Sequence, residues 1–119
     1  MITLVCATWQ SAAAAKEAAS PSMAPLSGYL MPEKGEIALA RSAAPPSISD
    51  GATVMILGRD GYTTAIRGKN GFLCLVERSW GNATTDAEFW NPKVRGPICF
   101  NPAAARTFAP IYLMKTKWV

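Results

Sequence analysis

The sequence predicts an α+β domain, and three observations predict it. Three runs of β-type residues lie between Thr53 and Trp80, the pairs Asp60-Gly61 and Asn70-Gly71 separate them, and helix-type segments flank them on both sides. Asp-Gly and Asn-Gly suit two-residue type I′ turns, because both central positions need positive φ. Two such turns in succession predict a three-stranded antiparallel meander over about 53–80. At the tightest turns Arg59 would face Tyr62, Leu57 would face Thr64, and Met55 would face Ile66. Across the second turn Lys69 would face Phe72, Arg67 would face Cys74, and Ile66 would face Leu75. One sheet face would then carry Met55, Ile66 and Leu75, and the other Val54, Ile56, Ala65, Cys74 and Val76. A sheet apolar on both faces needs cover on both.

Before the meander, residues 1–31 read as a leader-like segment and a tether, and residues 32–119 as a single small domain. Ile2 to Trp9 is a short apolar run, and Ala13-Ala14-Ala15 offers a small-residue cleavage pattern, although nothing basic precedes Lys16. The run is too short to span a bilayer. Pro21 and Pro25 keep the following Ser/Pro/Ala-rich stretch from forming one helix. Helix formers from Glu33 to Ala44, acidic in the first turn, predict a helix that Pro45-Pro46 stops. Ile37, Leu39, Ala40 and Ala44 would form its sheet-facing stripe.

Beyond Trp80, Gly81 to Thr85 is a loop, and Asp86 suits the cap of a single turn that Asn91-Pro92 ends. Ile98-Cys99-Phe100 predicts a short edge strand. Asn101-Pro102 has the form of a helix start, with asparagine as cap and proline at the first helical position. Pro110 would kink or restart that segment, which runs to Val119 with no helix-ending residue. The natural protein is therefore expected to continue past Val119.

The 119 residues suit one domain. The net charge of +4 is uneven: Met1 to Gly58 has three basic and four acidic residues, and Arg59 to Val119 nine and four. Any electrostatic function thus belongs to the second half. There is no histidine, which excludes His-based triads and His-containing zinc sites within this chain. Cys6, Cys74 and Cys99 form no CxxC pair, so no metal site or cofactor is implied. Cys74 and Cys99 admit two states, a bridge worth about 3–4 kcal/mol or two buried thiols.

The candidate binding residues are Arg59, Tyr62, Lys69, Trp80, Trp90 and Arg95, which place cations and aromatics near strand ends and loops. That composition suits stacking on a sugar or on single-stranded nucleic acid. Asp86 and Glu88 stand only two apart and would not face each other, so they make a poor catalytic pair. No catalytic residue is assigned.

Gly61-Tyr62, Gly68 to Phe72, Val76 to Trp80, Phe89 to Pro92 and Arg95 to Asn101 resemble an uncharacterised family of predicted-secreted bacterial proteins. The resemblance covers about two thirds of the chain and implies export, with no activity to carry over. The expected function is a small exported binding or structural module without catalysis of its own, its partner an envelope component or glycan. The alternative is a fragment of an envelope hydrolase or transferase whose active groups lie partly outside this chain. Weak nucleic-acid binding ranks third.

Overall fold

The structure, a computed structural model, describes residues 22–119, so the leader-like start lies outside the described residues. A single 3-10 turn at Leu26–Gly28 leads into helix α1 (Glu33–Arg41) and the short helix α2 (Pro46–Ser49). Strands β1 (Thr53–Gly58), β2 (Gly61–Ile66) and β3 (Leu73–Glu77) follow, then a 3-10 turn at Ser79–Gly81, strand β4 (Gly96–Phe100) and helix α3 (Pro102–Trp118). The α+β class holds, with a helix before the sheet and another after it.

The meander needs correction. The sheet has four strands in the order β2-β1-β3-β4, and it is mixed: β1 pairs antiparallel with β2, whereas β3 runs parallel to β1 and antiparallel to β4. Parallel neighbours need a connection of about a dozen residues, and here residues 59–72 supply it, with β2 inside. Because β2 ends beside the start of β1 (Val54 opposite Ile66) and β3 begins there too (Thr53 opposite Leu73), the chain has only to cross the mouth of β1.

That crossing is tied down at every step. The Lys69 and Asn70 N–H groups donate to the Gly51 carbonyl at 2.9 and 3.2 Å, and the Gly68 N–H donates to Thr53 Oγ1 at 3.0 Å. The Asn70 side chain donates to the Ile48 carbonyl at 2.7 Å and accepts from the Phe72 N–H at 3.0 Å. Gly68 is obligatory by space, since a Cβ there would collide with backbone atoms of Gly51, Ala52 and Thr53. Gly71 does take the positive φ (82°) that an Asn-Gly turn requires, but the turn sends the chain under β1 instead of back along β2.

The first turn is a hairpin, but it closes one residue earlier than expected, so each β1 residue from Met55 to Gly58 meets a partner two residues away from the expected one. Arg59 and Asp60 form the turn, Gly58 faces Gly61, and Leu57 faces Tyr62. Gly61 (φ 105°) supplies the left-handed residue that follows the turn in three-residue hairpin loops. An irregularity between Val54 and Met55 shifts the pairing again, so Ile66 joins the Val54 face.

Both sheet faces are covered. Val54, Cys74 and Val76 pack with Ala40 of α1 and Ala52, joined by Ile37 and Leu39. On the other face Leu57, Leu73, Leu75 and Phe100 pack with Tyr29, Trp80, Phe89, and Ala109 and Tyr112 of α3. The described end of the expected tether belongs to this second layer, because Tyr29 is fully buried. Helix α3 starts as its sequence predicts, with Asn101 Oδ1 accepting the Ala104 N–H at 2.8 Å and Pro102 in the first turn. It runs unbroken through Pro110, which sits on the exposed side where the freed carbonyl one turn earlier can face water.

Candidate functional site

Where β1 turns into β2, the last turn of α3 crosses over the hairpin. The two elements, with Met23 and Leu26 of the N-terminal strap, enclose a cleft of about 450 Å³. Its floor holds Leu57 and Trp80, and its rim holds Arg59, Asp60, Thr116 and Lys117. Trp80 is only 1% exposed. Its indole N–H donates to Thr116 Oγ1 at 2.8 Å, and the Thr116 hydroxyl donates to the Tyr112 carbonyl at 3.0 Å. The ring also packs at 5.1 Å against Tyr29. Trp80 therefore anchors α3 to the sheet, while the exposed Arg59, Asp60 and Lys117 carry the charge of the cleft, two cations and one acid.

Beside this cleft runs a buried polar network. The Arg78 N–H donates to Tyr112 Oη at 2.8 Å, the two tyrosine hydroxyls meet at 2.8 Å, and the Tyr62 hydroxyl reaches the Val76 carbonyl. A carbonyl only accepts, so Tyr62 gives its proton to Val76 and Tyr112 gives its own to Tyr62. Burial pushes the Tyr62 phenol well above its ordinary pKa, with Tyr112 adding to the rise, and burial likewise raises Tyr112. Neither phenol is poised as a base near neutrality.

The same region holds an ion pair that composition does not reveal. Arg78 Nη1 donates to Glu36 Oε2 at 3.0 Å, and both side chains are buried. Arg78 also donates to the Tyr29 and Val76 carbonyls at 2.8 and 2.7 Å. Glu36 Oε2 accepts the Leu57 N–H at 3.1 Å. This pair joins α1, β1, the strap and the end of β3.

Glu77, half-buried between these features, has its carboxyl pKa raised by burial. A carboxyl raised on folding favours the folded state most below its unfolded pKa, and that contribution is lost as pH rises through the folded value. Glu77→Gln is therefore expected to raise the melting temperature at pH 7 and to leave it unchanged at about pH 3, where the carboxyl is protonated in both states. Thermal melts at the two pH values decide this; a variant that melts at or below wild type at pH 7 removes the idea.

The six expected binding residues do not share one surface. Arg59 and Trp80 meet at the cleft. Tyr62 points into the polar network. Lys69 lies at the opposite end of β1 from Arg59, beside Gly51. Trp90 is half-buried and edge-on to Phe89 at 4.7 Å, and Arg95 is exposed just before β4. Thr116 and Lys117 escaped sequence reasoning, because only folding brings the end of α3 over the hairpin, and Asp60 reads in sequence as a turn residue alone.

Cys74 and Cys99 stand directly opposite on β3 and β4 and form a disulfide. Asp86 and Glu88 hold loop turns: Asp86 Oδ1 accepts the Glu88 N–H, and Glu88 Oε1 accepts from the Asn91 amide, each at 2.7 Å. Among the described residues no three His, Cys, Asp or Glu side chains cluster closely enough to hold a metal ion, and no helix is long and apolar enough to cross a membrane. Comparison with family models, curated proteins and solved structures found no match.

Proposed function

We propose that this protein is a small exported binding module without catalysis of its own, and that the cleft between the β1–β2 hairpin and the end of α3 takes its ligand. One observation carries this reading: Arg59 and Lys117 stand at the rim of a cleft of about 450 Å³ whose floor is apolar. Two cations that outnumber the single acid Asp60 on the rim suit a ligand with a carboxylate or phosphate on a compact body that also offers a hydroxyl to Asp60, such as an acidic sugar of the cell envelope. The only hydroxyl among the cleft's lining side chains, that of Thr116, is engaged by the Trp80 indole and the Tyr112 carbonyl, so the cleft recognises its ligand without transforming it.

Export is supported by the Cys74–Cys99 disulfide, because such bridges persist in oxidising compartments. The leader-like start and the resemblance to predicted-secreted proteins point the same way. The test is an amide NMR titration with a glucuronic-acid disaccharide and a neutral disaccharide. Shifts are expected at Gly58 to Gly61 and Thr116 to Val119 with the acidic sugar, and Arg59→Ala is expected to weaken binding about tenfold through loss of a charge-assisted bond. Silence at those amides would overturn the site. Cleavage of the disaccharide during the titration would overturn the non-catalytic reading.

A further inference from the structure

Helix α3 is apolar on two sides, and the domain uses only one of them. Its inner side, with Ala109 and Tyr112, is buried in the core. Its outer side presents Phe108, Ile111, Met114 and Trp118 at 68, 67, 55 and 79% exposure. Their spacings of three, three and four residues place them in one stripe along the helix. Ile111, Met114 and Trp118 also line an apolar groove of about 550 Å³, closed on its far side by Thr84 and Phe89. A contiguous patch of this kind on an otherwise polar surface marks a docking face.

The charges select the occupant. Every charged residue of α3 is basic: Arg106, Lys115 and Lys117. Lys115 is partly engaged, donating to the Asn82 carbonyl at 3.0 Å and lying 5.3 Å from the Phe89 ring centre. Arg106 and Lys117 are exposed, and the helical repeat sets both on one flank, about 60–80° round the helix from Met114. Of the acids around the helix, Asp60 stands on the cleft side with Lys117, while Asp86 and Glu88 are turned to their own loop, where they accept hydrogen bonds from the Glu88 N–H and the Asn91 amide. A second copy would set one cationic helix against another, on a chain of net charge +4. An anionic lipid surface instead offers negative headgroups to the border cations and an acyl boundary to the aromatic and aliphatic stripe.

We propose that the outer face of α3 docks this protein, lying flat and without spanning, on a membrane surface rich in anionic phospholipid. This inference does not rest on the ligand assigned to the cleft, although Lys117 stands at both surfaces. The test is partition of the full chain onto sedimented vesicles, with phosphatidylcholine alone set against phosphatidylcholine containing about 30% phosphatidylglycerol. Partition is expected to be at least about tenfold stronger on the anionic vesicles, to fall as salt rises, and to shift Trp118 emission to the blue. Ile111→Asp and, separately, Trp118→Ala should each lower partition by about tenfold or more with no change in melting temperature, because both side chains are exposed. Arg106→Glu should flatten the salt dependence. Equal binding of wild type and both stripe variants would overturn the proposal. So would absence of binding to anionic vesicles, including the case in which sedimentation velocity finds a concentration-dependent dimer on this face instead.

Discussion

Replacing Arg78 with methionine is expected to destabilise the domain by about 3–5 kcal/mol, a large share of the 5–15 kcal/mol typical of such a domain. The variant leaves the Glu36 carboxylate in the interior with one donor, the Leu57 N–H. A buried carboxylate stripped of its cation keeps its desolvation cost and loses the attraction that offset it. In the same step the Tyr29 carbonyl loses the hydrogen bond that Arg78 donates to it, and the Val76 carbonyl keeps only the one from the Tyr62 hydroxyl.

Glu36→Gln should cost less, about 2–3 kcal/mol, although it leaves the buried Arg78 guanidinium without its counter-charge. Its amide oxygen can still accept from Leu57, and Arg78 keeps both backbone carbonyls. The double variant Glu36→Leu/Arg78→Met removes both charges and should recover much of the loss, as buried pairs replaced by apolar residues of similar volume commonly do. Denaturant melts of the three variants separate these cases. A cost below about 1 kcal/mol for Arg78→Met would mean that the pair carries no structural weight.

The sequence makes local features legible and long-range ones obscure. Asn101-Pro102 announces the start of α3 because the cap and the first turn involve neighbours only. Ile98 to Phe100 reads as an edge strand, and it is one. Asn70-Gly71 is legible as a turn, since Gly71 adopts positive φ, but its direction depends on bonds to Ile48 and Gly51, about twenty residues earlier in the chain. Nothing local distinguishes a turn that closes a hairpin from one that leads under β1. Gly68 carries the missing information, as the only residue type that fits against Gly51 to Thr53, yet in sequence it looks like another turn glycine. The Glu36–Arg78 pair is harder still. Glu36 reads as a first-turn acid outside the sheet-facing stripe of its helix and Arg78 as a charged residue at a strand end, and only the three-dimensional arrangement buries both. The cleft follows the same rule: Arg59 and Trp80 are visible as candidates, whereas Lys117 and Thr116 arrive from the far end of the chain.

Removing the Cys74–Cys99 bridge as Cys74→Ala/Cys99→Ala is expected to cost about 3.5 kcal/mol, given the 25-residue separation it closes in the unfolded chain. For a domain of this size that corresponds to a fall in melting temperature of about 15–25 °C. The bridge links β3, flanked by strands on both sides, to the edge strand β4, and α3 follows β4 after the single residue Asn101. Its loss should therefore loosen β4 and α3 before the β1–β2 hairpin, giving earlier amide exchange at Gly96 to Phe100 than at Thr53 to Gly58. Wild type refolded under reducing conditions should match the double variant. Reductant added to the native protein should attack at the half-buried Cys99 and more slowly than in the unfolded chain, because Cys74 is fully buried and thiolate attack needs access to sulfur. The decisive comparison is thus between protein unfolded and refolded with reductant and protein refolded without it. Equal melting temperatures after that cycle would remove the structural role of the bridge, and with it the main physical support for an oxidising compartment.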